Sequence, residues 1–287
     1  MRIINNLDEM TETARGWLAG GSVGFVPTMG HLHAGHLTLV QAAHQECEIS
    51  VVSILVNPLQ FDPTEDPADY PRNLAQDLQL LNAANVAIIF TPSAEDMYPP
   101  DFSTYVTPSG PLAERLEGAS RPAYLRGVAT VTTKLFQLVR PDIAYLGQKD
   151  AQQIAVIRQL VRDLNVDISL RVLPTVREDD GLAMGCSNVL LSASERPVAT
   201  ILYRALLAAK ALIDSGEGRS AVIEKAMADL VASETMVKLD YAAVCHPDTF
   251  AELAEAVPGT LLAIAAHIGK ARLVDNFLWT TDGRWLI

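Results

Sequence analysis

The chain has 287 residues, 49% apolar and 20% charged, which is enough to bury a sizeable core in a globular protein. Its net charge of −12 excludes the broad basic face that nucleic acid needs, so an anionic ligand must be held by local cations and backbone N–H groups. Cys47, Cys186 and Cys245 are scattered, odd in number and form no CxxC pair, so neither a disulfide framework nor a zinc site is implied. The first residues lack the apolar core of a secretion signal, and the longest apolar run, 261–266, is too short to span a bilayer. These features lead us to expect a soluble cytoplasmic protein with no membrane or nucleic-acid partner.

Residues 23–26, 49–56, 86–90, 143–146 and 168–172 are short apolar runs without polar alternation. Such runs predict strands covered on both faces, as in a parallel sheet. Between them Val128, Val131, Leu135, Leu138 and Val139 recur at helical spacing, as do Ile154, Ile157, Val161 and Leu164. The alternation predicts an α/β fold with a doubly wound, Rossmann-like parallel sheet and ligands at the carboxyl ends of its strands. After Pro174 a polar stretch, 177–188, leads into a predicted helix over 192–213 and another over 220–233. Strand-like runs follow at 238–245, 261–268 and 271–276. This half predicts a smaller C-terminal α+β domain, so we expect domains at 1–176 and 177–287.

Chemistry concentrates at strand ends. Residues 25–37, FVPTMGHLHAGHL, leave the first of these strands and enter a helix near Gly35. A helix start offers unpaired N–H groups and positive dipole potential, so it attracts phosphate. His33 and His36 can point there side by side, and Gly35 removes a side chain where a nucleotide approaches. Taken alone, the pair also fits a helix cap or two metal ligands. Asn57 and Gln60 fall just past the strand at 49–56, in a segment that otherwise reads as a turn. Gly147, Lys149 and Asp150 follow the strand at 143–146. There Lys149 can neutralise phosphate and Asp150 can cap the next helix.

Together these segments resemble the pantothenate synthetase (pantoate–β-alanine ligase) family, within the HxGH nucleotidyltransferases. The resemblance rests on Pro27-Thr28-Met29-Gly30, His33-Ala34-Gly35-His36, Val56-Asn57-Pro58 and Tyr70-Pro71-Arg72. It continues through Met97-Tyr98-Pro99, Arg126-Gly127-Val128, Lys149-Asp150, Asp180-Gly181-Leu182-Ala183-Met184 and the run 271–276. It implies ATP-dependent condensation of pantoate with β-alanine through a pantoyl adenylate, with Mg²⁺ accompanying ATP and a homodimer as the assembly.

By matching position, His33, His36 and Lys149 would be catalytic. Met29, Gly35, Gly147, Asp150, Val176, Met184, Gly185, Cys186 and Ser187 would join His36 and Lys149 in binding ATP. Met29, Asn57, Gln60 and Gln153 would hold pantoate, Asp77 would help hold Mg²⁺, and the C-terminal domain would act as a lid.

The chain departs from that pattern near the expected chemistry. Gly185-Cys186-Ser187-Asn188 stands where the family usually has Ser-Ser-Arg-Asn, so two hydroxyls and a guanidinium are missing. Gln148 replaces a usual Glu, Tyr124-Leu125 a usual His-Phe, and His31 a usual small residue. His31, Arg121, Arg126 and Arg177 are candidate replacements for the lost cation. Two other readings stay open: an HxGH nucleotidyltransferase with a different acceptor, and a nucleotide-binding paralogue with weakened turnover.

Overall fold

The computed structural model describes residues 1–17, 21–62 and 65–287. The chain divides into two compact units, one of Met1–Gly147 with Val156–Leu173, the other of Gln148–Ala155 with Pro174–Ile287.

The first unit is built on six strands: β1 (Arg2–Ile4), β2 (Val23–Thr28), β3 (Ile49–Ile54), β4 (Ile88–Phe90), β5 (Ile143–Gly147) and β6 (Ser169–Leu173). Their order is β1-β4-β3-β2-β5-β6, and every pairing is parallel. The expected doubly wound sheet is therefore present, with β2 at its centre. Helices α1 (Leu7–Gly16), α2 (Ala34–Glu46), α3 (Leu74–Ala83), α4 (Ala94–Met97), α5 (Pro111–Glu114), α6 (Glu117–Ser120), α7 (Tyr124–Val139) and α8 (Ala151–Asp163) complete the α/β pattern, although the first turn of α8 belongs to the second unit.

Successive side chains of a strand face opposite ways, and both faces of β2 are covered. Val26 packs with Leu39, Val40 and Ala43 of α2 and Leu81 of α3. Phe25, one residue earlier, meets Phe136 of α7 edge-to-face at 6.4 Å between ring centroids. Burying a side chain of this size contributes about 1.5–3 kcal/mol. The β2–β5 boundary is where the strand order reverses, the point at which open α/β sheets bind ligands.

β1 was not among the expected strands. It has three residues, of which only Ile4 is buried, so no periodicity exists to read.

In the second unit, β7 (Val237–Cys245), β8 (Leu261–Ile268), β9 (Ala271–Trp279) and β10 (Trp285–Leu286) form an antiparallel sheet in the order β10-β9-β8-β7. Leu262, Ile264, Ala266 and Ile268 alternate along β8 and share a core with α10 (Ile201–Asp214) and α11 (Ser220–Ala232). This is the expected α+β region. The single helix expected over 192–213 is instead two pieces, α9 (Glu195–Val198) and α10. At the junction the Thr200 hydroxyl takes up the Pro197 carbonyl at 2.9 Å. Among the described residues no helix is long and apolar enough to cross a membrane.

Candidate active site

The loop leaving β2 is shaped by one buried carboxylate. Asp77, on α3, is 2% exposed; its Oδ2 accepts the His31 N–H at 2.9 Å and its Oδ1 the Leu32 N–H at 2.8 Å. Gly30 (φ 85°) and His31 (φ 54°) both take positive φ, which turns the chain sharply toward α2. A Cβ on Gly30 would lie 3.0 Å from Asp77 Oδ2, so the glycine also makes room for the clamp. In this structure Asp77, the residue expected to help hold Mg²⁺, clamps the loop: each oxygen serves one backbone donor in a buried position.

The loop delivers His33 and His36 to the start of α2 in a reciprocal cap. His33 Nδ1 accepts the Gly35 N–H at 3.2 Å, and His36 Nδ1 accepts the His33 N–H at 3.3 Å. A backbone N–H can only donate, so both Nδ1 atoms are acceptors and each neutral ring carries its proton on Nε2. The rings lie 4.1 Å apart between centroids. Capping and anion recognition are therefore compatible here: the cap fixes the tautomer, and the tautomer supplies two N–H donors. Met29 and Gly35 in the same stretch are half-buried.

At the end of β3, the neighbour of β2, Asn57 and Gln60 bracket a 3-10 turn, Pro58–Gln60, and both are buried. Asn57 Nδ2 donates to Gln60 Oε1 at 2.8 Å and to the Gly127 carbonyl at 3.1 Å. Its Oδ1 accepts the Tyr98 hydroxyl at 2.8 Å and the Leu59 N–H at 3.3 Å. An amide has two donor and two acceptor positions, so Asn57 is saturated. Its expected direct contact with substrate is thus corrected to a supporting role for Gln60. The turn lies flat on α7 because residue 127 is glycine: a Cβ there would sit 2.1 Å from the Leu59 carbonyl oxygen. Arg121 braces the same turn through the Gln60 carbonyl at 2.8 Å and pairs with Asp62 and Glu65. Arg121 also stacks on Tyr124, 4.4 Å from the ring centroid.

In the second unit a 3-10 turn, Gln148–Asp150, leads into α8, with Lys149 and Gln153 half-buried and Asp150 exposed. Lys149 Nζ lies 3.9 Å from Asp150 Oδ1. Asn276 of β9 holds this turn by donating to the carbonyls of Gln148 and Lys149, while Gln148 Nε2 donates back to Asn276 Oδ1 at 3.0 Å. A glutamate at 148 would set an oxygen against that acceptor, so the amide found here matches its partner. Gly147 closes β5 in the first unit, and a Cβ built there meets nothing within 4 Å, so the fold itself does not demand glycine.

Residues 176–188 form a compact polar loop. The Met184 N–H donates to the Val176 carbonyl at 2.9 Å, and Asn188 Nδ2 donates to the carbonyl of Ala183 at 3.0 Å. Gly185, Cys186 and Ser187 follow, all half-buried. A Cβ at Gly185 would approach Lys149 Cε to 3.0 Å and Nζ to 3.2 Å, so the lysine packs into space that a larger residue would contest. Arg196 ties the loop down through Glu178 at 2.7 Å and Asp180 at 2.8 Å, and its guanidinium holds the Asp180 carboxyl below the usual range. Arg177 forms a bidentate pair with Asp275 at 2.7 and 2.9 Å under Tyr203 and Phe277. It is thereby committed within the unit, which corrects the expectation that it replaces the missing cation.

Residues 2–278 match the family model described as pantoate-beta-alanine ligase. The pantothenate synthetase of Chloroflexus aggregans is 47% identical over 280 residues, covering 97% of this chain and 99% of that protein. The chain belongs to the pantoate-beta-alanine ligase family. The solved pantothenate synthetase of Thermus thermophilus superposes with a TM-score of 0.92 at 44% identity, covering 98% of this chain and 100% of its own. The pantoate-beta-alanine ligase of Francisella tularensis, solved in complex with beta-gamma ATP and beta-alanine, gives a TM-score of 0.80 at 32% identity and covers 97% of each chain. Family membership makes the chain an enzyme of the ligase class, with the two-part α/β architecture of its relatives.

In the sequence Tyr98, Gly127 and Asn276 stand only as text that matches the family, with no role attached. Their function is to hold Gln60 and Lys149 in place through bonds between residues far apart in the chain. Local pattern carries no trace of such bonds.

Proposed function

We propose that this chain condenses pantoate with β-alanine using ATP. In the first step an oxygen of the pantoate carboxylate attacks the α-phosphorus of ATP, and the bond to the bridging oxygen breaks, releasing pyrophosphate and leaving pantoyl adenylate. In the second the β-alanine amine attacks the acyl carbon, the acyl–oxygen bond to AMP breaks, and the amine loses a proton as pantothenate forms. Adenylation turns a poor electrophile into one with a good leaving group. Positioning and charge stabilisation then supply the acceleration.

In this reading the Nε2–H groups of His33 and His36 donate to phosphate oxygens, where negative charge gathers as pyrophosphate leaves. Lys149 adds the full positive charge and Asp150 binds the ribose. Gly35 and Gly147 let the nucleotide approach the backbone, Val176 binds it from the end of a 1–176 nucleotide- and pantoate-binding domain, and Met184, Gly185, Cys186 and Ser187 bind it from a 177–287 C-terminal domain that acts as a lid. Gln60 and Gln153 hold pantoate, with Met29 packed against it. Neutral amides suit that task, since an arginine would stabilise the ground-state carboxylate and blunt the nucleophile. Mg²⁺ is taken to arrive with ATP, with Asp77 as the residue that would help hold it, and no step is routed through it. The reading also includes a homodimer in the cytoplasm.

The observation that carries this reading is the pair of imidazoles at the start of α2, each with Nδ1 pinned so that its proton lies on Nε2. The test is incubation with Mg-ATP, pantoate and β-alanine while pyrophosphate, AMP and pantothenate are measured together. Equal yields of all three support it. ADP as the nucleotide product, or pyrophosphate release indifferent to pantoate, overturns it.

A further inference from the structure

We propose that Tyr98 is a positioning residue for the acid substrate: its hydroxyl, acting through Asn57, sets which end of the Gln60 amide is presented outward. This rests on the reading above that Gln60 holds pantoate.

An amide side chain can face a ligand with either its oxygen or its NH₂, and the surrounding bonds decide which. Around Asn57 two backbone groups cannot be reversed. The Gly127 carbonyl only accepts, so it must face Nδ2, and the Leu59 N–H only donates, so it must face Oδ1. The Leu59 bond is long at 3.3 Å; the short bond to Oδ1 is the one from the Tyr98 hydroxyl at 2.8 Å. With Asn57 fixed in this sense, its second N–H requires an acceptor, and Gln60 supplies Oε1 at 2.8 Å. Gln60 is left with Nε2 as its outward group. The chain Tyr98–Asn57–Gln60 thus makes residue 60 a dedicated donor, suited to a carboxylate or hydroxyl oxygen and mismatched to an N–H group.

Tyr98 is itself well held. It follows the short helix α4, donates its N–H to the Ala94 carbonyl at 2.8 Å, and packs edge-to-face on Phe102 at 5.1 Å between centroids. Lys134 Nζ lies 5.7 Å from its ring centroid. Burial, with a smaller contribution from Tyr105, raises its pKa well above the usual phenol value, so the hydroxyl keeps its proton and remains a donor at any working pH.

The test is a double-mutant cycle of Tyr98→Phe and Gln60→Ala, reading KM for pantoate, KM for ATP, kcat for pyrophosphate release and the melting temperature. Phenylalanine keeps the ring contacts and removes only the hydroxyl. Loss of one hydrogen bond that orients Asn57 is expected to raise KM for pantoate about three- to tenfold, with kcat and KM for ATP changed by less than about twofold. In the Gln60→Ala background the same substitution is expected to leave KM for pantoate within about twofold, because the group it positions is gone. An unchanged KM for pantoate in Tyr98→Phe, a parallel rise in both KM values with a lowered melting temperature, or additive effects in the double variant would each overturn the inference. If Gln60→Ala alone leaves KM for pantoate unchanged, the assignment of Gln60 to pantoate fails, and this inference fails with it. If Gln60→Ala raises that KM and Tyr98→Phe does not, the assignment stands and only the role of Tyr98 is lost.

Discussion

His36 shows how much a single residue can be asked to do. Its Nδ1 closes the cap on α2, and its Nε2–H is the donor assigned to phosphate. Replacing it with alanine should abolish pantoate-dependent pyrophosphate release. The stability cost should be no more than about 1 kcal/mol, the usual worth of a cap contact, and denaturant titration beside the rate assay checks both. Asp77 clamps its loop and is the residue assigned to help hold Mg²⁺. Asp77→Asn should lower the midpoint of unfolding, because at least one charge-assisted bond worth about 1.5–3 kcal/mol is weakened. Activity of the folded fraction should show a raised Mg²⁺ requirement; an unchanged one would leave Asp77 as a clamp alone. At Ser187, where the family usually carries arginine, Ser187→Arg should speed adenylation about tenfold or more if a phosphate contact worth about 1.5–3 kcal/mol is regained. An unchanged single-turnover rate would show that Lys149, packed against Gly185, already supplies that charge.

At the scale of elements, the parallel strands other than β1 and the α2 start were legible because each has a local signature: an unbroken apolar run, or two histidines around a glycine at a strand-to-helix turn. The break between α9 and α10 was hidden because the residues on both sides favour helix. The junction is marked by the bond from the Thr200 hydroxyl to the Pro197 carbonyl. Gly127 was similarly opaque. In the sequence it stands only within text that matches the family, yet its lack of a side chain lets the Pro58–Gln60 turn rest on the helix. Gly127→Ala should therefore cost activity despite its better helix propensity. The Cβ would push the Leu59 carbonyl away, so KM for pantoate should rise sharply while far-ultraviolet circular dichroism stays unchanged. Full activity in Gly127→Ala would mean that the turn can shift without moving the Gln60 amide.

For the molecule as a whole, the change of texture after Pro174 marked the passage from parallel to antiparallel sheet. Composition could not reveal which charges are spent internally. Arg177, a reasonable phosphate ligand on paper, is bound to Asp275 across the C-terminal unit, with side-chain exposures of 11% and 3%. Asp275→Ala would leave that guanidinium buried without its partner and should destabilise the C-terminal unit by about 3–5 kcal/mol. Hydrogen exchange should show lost protection in β8 and β9 with β2 and β3 little affected; equal loss in both sheets would contradict a local role for the pair.

The adenylate is the centre of the proposed chemistry, and exchange of labelled pyrophosphate into ATP without β-alanine reports on it directly. Exchange that requires pantoate and vanishes in His36→Ala is the expected result. Exchange without pantoate, or none until β-alanine is added, would contradict a pantoyl adenylate formed at the start of α2.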